Sequence, residues 1–89
     1  MDRMSKPIEV ISLHHTDGSM YPIRFRVEDE EHQLIRVNID RILGTREIGY
    51  VGSEAYIFVC LAVMNDRESV FEIRYTVRSH SWDLLKKVC

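Results

Sequence analysis

The side chains that could do chemistry in this 89-residue chain are four histidines, two cysteines and a set of arginines at strand-like spacing. His14, His15, His32 and His80, with Asp17 nearby, are the candidate metal ligands. A zinc site needs three or four ligands converging in space. His14 and His15 are neighbours on a β-like run and so point to opposite faces, and His32 and His80 fall in turn segments. No metal site is predicted. Cys60 lies mid-stretch among Val59, Leu61 and Ala62 with no histidine close in sequence. A nucleophilic thiol needs partial exposure, a positive neighbour and a base, so Cys60 reads as a core thiol. An enzyme built on Cys60 and a distant histidine is the weakest of three functional readings. No serine occupies a Gly-x-Ser-x-Gly elbow. Gly44, Gly49 and Gly52 have no lysine after them and no strand–loop–helix context, so they form no phosphate loop. The acidic run Glu28-Asp29-Glu30-Glu31 lacks the alternating spacing of a calcium loop. The chemistry predicts no enzyme, no cofactor and no small-molecule substrate.

The arginines offer more. Arg24, Arg26, Arg36, Arg74 and Arg78 occupy polar positions of alternating segments. On neighbouring strands they would make an outward stripe suited to phosphates, and the chain would be a nucleic-acid-binding small barrel. Three observations weigh against that. Glu28, Asp40 and Glu72 share the same faces and would pair across strands. The net charge is −2, from 12 basic and 14 acidic residues. Tyr21, Phe25, Phe71 and Tyr75, which might stack on bases, take the opposite, inward phase of the same alternation.

The elements that must position these groups are organised around Ala55–Met64, ten residues without a charge. The run is too short to span a bilayer, and its β-branched and aromatic content favours a buried strand. It does not alternate, so both faces need cover. Branched residues fill small barrels well, which assigns Ile57, Val59, Leu61 and Val63 to the interior. Tyr56, Phe58, Cys60, Ala62 and Met64 are then outward, an apolar patch of the kind that marks an interface. With Tyr56, Phe58, Cys60 and Met64 as contacts, the preferred function is a non-catalytic β module acting as a homodimer or a subunit of a protein complex.

Around this strand the chain punctuates itself with turns about every ten residues. Residues 1–7 are a polar, disordered lead-in to one β domain over 8–89. Ile8 to His14 is β-like with a slipped alternation: Ile8 and Val10 share one face, Ile11 and Leu13 the other, which a bulge near Val10-Ile11 or a second covered face would explain. Asp17-Gly18 predicts a two-residue hairpin turn with both central residues at positive φ. Tyr21, Ile23, Phe25 and Val27 then alternate with Arg24, Arg26 and Glu28. Ile35, Val37 and Ile39 form the next strand, running on as far as Leu43. Residues 44–54 read as a long loop or a short irregular strand. Val70 to Arg78 alternates cleanly, with Phe71, Ile73, Tyr75 and Val77 on one side. Trp82 to Val88 reads as a closing strand, with a short C-terminal helix capped by Ser81 as the alternative.

The prediction is all-β: about six antiparallel strands in meander order, as a small barrel or tight sandwich. A buried Cys60 and a terminal Cys89 are poor disulfide partners, which points to a reducing compartment. Residues 1–7 lead into no apolar signal segment, and no stretch suits a membrane helix, so a cytoplasmic location is expected.

Asp17-Gly18-Ser19, Pro22-x-Arg24-x-Arg26 and the closing Arg78-Ser79-His80-Ser81-Trp82-x-Leu84 give the chain a family likeness. It resembles the short all-β proteins of low-GC Gram-positive bacteria that have no assigned activity. The resemblance implies a small, all-β, cytosolic bacterial protein and carries over no functional residue.

Overall fold

Apolar–polar alternation makes the strands, and the turn residues between them make the order. The computed structural model describes residues 5–51, 53–64 and 66–88. Its strands are β1 (Lys6–His14), β2 (Met20–Glu28), β3 (Leu34–Tyr50), β4 (Ser53–Met64), β5 (Arg67–Thr76) and β6 (Ser81–Lys87). Each pairs antiparallel with the next, and β6 returns to β1, closing a six-stranded meander barrel. The closing seam is short, with Lys6, Pro7 and Ile8 opposite Leu84, Asp83 and Trp82. Among the described residues no helix is long and apolar enough to cross a membrane.

The fold class and the strand order are those the sequence predicts. Two open alternatives resolve towards strand. Residues 81–87 form β6, with Trp82 and Leu84 packed against the core. Residues 44–50 continue β3, paired in unbroken register with 53–59 of β4. Lys6 and Pro7, expected in the lead-in, belong to β1. Residues 1–4, Gly52, Asn65 and Cys89 lie outside the described residues.

The first hairpin differs from expectation. His15 donates its amide to the Ser19 carbonyl at 2.8 Å, and the Gly18 amide reaches the His15 carbonyl at 3.0 Å. The loop is therefore three residues, Thr16 to Gly18, and only Gly18 has positive φ, at 95°. A type I turn followed by one left-handed residue needs no second such position. Asp17 closes it: its carboxylate accepts the Ser19 amide and hydroxyl, and those bonds hold its pKa below the usual carboxylate value. The β2–β3 loop is built alike, with Asp29 bonded to Gln33 and His32 in the left-handed position at φ 64°. A side chain there is strained, and the exposed His32–Glu28 contact offsets little of it. His32→Gly is expected to raise stability by about 0.5–1 kcal/mol, read as a higher urea midpoint with unchanged slope.

The interior corrects the assignment of the central strand. Phe58, Cys60 and Ala62 point inward, forming the core with Phe25, Val37, Phe71 and Ile73. Tyr56 and Met64 pack against the same core, while Val63 is 53% exposed. The face of β4 expected outward thus lines the core cluster, while on the face expected inward Ile57 and Leu61 are also buried, outside that cluster, and Val63 is exposed. Register explains it. Phe58 lies opposite Ile73, and Cys60 opposite Phe71, so the clean alternation of β5 sets the phase of β4. Small Cys60 and Ala62 make room for bulky neighbours: Phe25 and Phe71 meet edge to face, with centroids 5.6 Å apart. Facing small against large residues is how a narrow barrel fills its axis. Phe58, Tyr75 and Trp82 close one part of the core as a run of tilted rings.

The second correction is on β2. The register slips between Ile11 and Ser12, which pair with Arg24 and Pro22, leaving Ile23 as a surplus residue. A bulge of one residue reverses the facing of everything beyond it. Phe25 and Val27 face the core, but on the other side of the bulge Pro22 is buried while Tyr21 and Ile23 are exposed. Tyr21 and Ile23 are therefore outward, not inward.

Candidate functional site

The outer face of β1, β2 and β3 gathers three of the five predicted arginines. Arg26 lies directly opposite Arg36 on β3, and Arg24 opposite Asn38. On the other side Arg26 faces Glu9 and Arg24 faces Ile11, both on β1. Directly opposed side chains have Cβ atoms about 5 Å apart, and outward neighbours on one strand are about 7 Å apart. The three guanidiniums therefore share one locality. There the surface is hollowed into an open groove of about 330 Å³ lined by Glu9, Ile11, Arg24, Arg26 and Arg36, with Val10 and Phe25 at its base.

Electrostatics give the groove its character. Glu9 accepts from Nε and Nη2 of Arg26, which fixes that guanidinium. Among the described residues, Arg24 and Arg36 form no ion pair. Three guanidiniums and one carboxylate leave two positive charges uncompensated in the groove. Like charges placed directly opposite, as Arg26 and Arg36 are, repel unless an anion sits between them. The predicted pairing with Glu28 and Asp40 does not form; Glu28 instead contacts His32 Nδ1 at 3.0 Å.

From the groove an apolar row leads along the β1–β2 hairpin. Ile11 is followed on β1 by Leu13, which lies opposite Tyr21. Tyr21 is 38% exposed, and its ring stands 5.7 Å from the His15 imidazole at an angle of 44°. Cations, aliphatic side chains and an aromatic ring thus follow one another across one surface. Tyr21 is the residue the sequence reading overlooks. The bulge expected near Val10-Ile11 is not in β1, which alternates unbroken with Ile11 and Leu13 on its exposed face; the surplus residue lies on β2, where no residue pattern marks it.

The remaining predicted residues lie elsewhere. Arg74, on the opposite wall, donates to Asp83 Oδ2 at 3.1 Å and to Ser5 Oγ at 3.4 Å. Arg78 is exposed in the β5–β6 turn. The five-arginine stripe therefore does not form; three converge and two are separate. Tyr56, Phe58, Cys60 and Met64 belong to the core and its margin rather than to a surface. His14 contacts Ser12 Oγ, and His80 contacts the Tyr75 hydroxyl at 3.1 Å. Among the described residues, no three His, Cys, Asp or Glu side chains are grouped to hold a metal ion.

Cys60 is wholly buried, and burial pushes its thiol pKa up to about 12. Its nearest polar contact is its S–H to the Phe58 carbonyl at 3.8 Å. A neutral, enclosed thiol is a poor nucleophile. In a Cys89→Ser background, Cys60 is expected to react with a thiol reagent only as fast as the barrel opens. Rapid stoichiometric labelling of the native protein would show a reactive thiol instead. No family model, curated protein or solved structure matches the chain.

Proposed function

We propose that this chain is a non-catalytic, nucleic-acid-binding small barrel that takes a single strand on the outer face of β1, β2 and β3. The observation that carries this reading is the surplus residue Ile23, which puts Tyr21 on the same face as Arg24 and Arg26. Backbone phosphates are held by guanidiniums, and bases stack on aromatic or aliphatic side chains irrespective of sequence. Both kinds of group meet here, within reach of one strand. The slightly acidic total charge does not oppose this, since a local field steers a ligand more than the sum does. The test is anisotropy of labelled single-stranded RNA and DNA at increasing salt. Log affinity falls linearly against log salt, by roughly 0.7 in slope for each phosphate the arginines neutralise. Flat titrations at low salt would end the reading.

A second reading keeps the homodimer and moves it to the true outer face of β4. Leu61 lies opposite Val70, and the Val88 amide donates to the Val70 carbonyl at 2.6 Å. The exposed Val63 and Val88 and the half-buried Val70, over the buried Leu61, make a small apolar patch on the wall remote from the groove. Patches of this kind suit a second copy of the chain. Light scattering over a range of concentrations is then expected to give a dimer that Val63→Glu returns to monomer. A monomer at every concentration would rule the dimer out.

A further inference from the structure

The arginines form a point, not a track, and this bears on which part of a nucleic acid they hold. We infer that the groove between β1, β2 and β3 binds a terminal phosphomonoester, the phosphorylated end of a strand, rather than internal phosphodiesters. The inference rests on the nucleic-acid reading above and deepens it.

Charge is the first reason. Arg24, Arg26 and Arg36 against Glu9 leave two positive charges around one groove of about 330 Å³. An internal phosphodiester carries one negative charge. A phosphomonoester carries close to two at neutral pH, its second pKa being about 6, and presents three strong acceptor oxygens instead of two. Three guanidinium forks around one group match that number of acceptors. Glu9 holds the Arg26 fork in place before any ligand arrives.

The flanks are the second reason. On the same outer face, β2 continues past Arg26 to the exposed Glu28, and β3 continues past Asn38 to the exposed Asp40. Both are carboxylates beside the groove and outside its lining. A sugar–phosphate backbone running through the groove would meet one or the other, each set beside a cation: Lys6 Nζ donates to the Glu28 carbonyl at 3.3 Å, and the exposed Arg41 follows Asp40. The row Ile11, Leu13, Tyr21 leads the other way and carries no carboxylate before Asp17 at the hairpin tip, whose Oδ1 is taken up by the Ser19 amide and hydroxyl. A strand that ends in the groove can lay its last base on the apolar row and leaves both carboxylates unapproached. Arg74 and Arg78, which might have continued a track, lie elsewhere on the barrel.

The test uses one ten-nucleotide single strand, as RNA and as DNA, prepared with a 5′-phosphate, with a 3′-phosphate, or with hydroxyls at both ends. Binding to the full chain is read by anisotropy from a label at the end away from the phosphate. One phosphorylated form is expected to bind at least about tenfold tighter than the hydroxyl form, and which end wins gives the strand polarity. In an Arg36→Gln protein whose amide spectrum remains that of the folded barrel, the preference should disappear. Equal binding of all three forms would overturn the terminal-phosphate inference and leave the interface standing. A preference that survives Arg36→Gln together with Arg24→Gln would overturn it too, by putting the phosphate elsewhere. No binding of any form at low salt would overturn both this inference and the reading beneath it.

Discussion

Phe58→Ala is expected to cost about 3–5 kcal/mol of folding stability, whereas Val63→Ala on the same strand costs under about 1 kcal/mol. The contrast follows from facing alone. Phe58 is 2% exposed and packs within a core cluster that includes Cys60, Phe71 and Ile73, so truncation leaves a cavity the barrel walls cannot close. Val63 points outward beside Glu68, and solvent fills whatever its side chain vacates. A domain of this size is stable by about 4–13 kcal/mol, so the Phe58 variant loses a large share of that margin. Urea unfolding measures both. The expected result is a large fall in midpoint for Phe58→Ala and a small one for Val63→Ala, at similar slopes. The reverse order would put the other face of β4 inside.

Replacing Arg24 and Arg36 together by Gln is expected to weaken single-strand binding by about 100-fold or more. A hydrogen bond to a charged group contributes about 1.5–3 kcal/mol, and two are removed along with their charges. The salt slope should become shallower as well, by roughly 0.7 for each phosphate that is no longer neutralised. Stability should change little, because both residues lie outside the core and form no ion pair among the described residues. Relief of the repulsion between opposed Arg26 and Arg36 gives the folded state a small gain if anything. Arg74→Gln is the control. It breaks the Asp83 pair on the opposite wall and should leave binding unchanged. Equal losses from Arg74→Gln and the groove variant would mean that binding follows net charge rather than this site.

Much of the barrel is legible in the residues. Phe71, Ile73 and Tyr75 alternating with Glu72 and Arg74 define β5, because one face is polar, whereas Trp82, Leu84 and Leu85 suit strand or helix and β6 is decided by its pairing with β5 and β1. Meander order follows from short turns. The facing of β4 is not legible, since a strand apolar on both sides carries no phase of its own and takes it from Phe71 and Ile73 across the ladder. The length of β3 is hidden for another reason. Gly44, Thr45 and Gly49 interrupt the apolar alternation, and their pairing with β4 makes them strand. At the candidate site, Arg24, Arg26 and Arg36 come together because meander order puts β2 beside β3. Arg74 and Arg78 cannot join them, because the barrel carries the β5–β6 hairpin to another wall. Tyr21 is lost to the alternation rule by a single surplus residue, since one bulge reverses every side chain beyond it.

Amide chemical-shift mapping during titration with a single-stranded oligonucleotide tests the central claim most directly. The account predicts perturbations concentrated at Glu9, Ile11, Tyr21, Arg24, Arg26 and Arg36, saturating together and fading as salt is raised. Perturbations centred on Leu61, Val63 and Val70, or a spectrum that does not move at low salt, would contradict it.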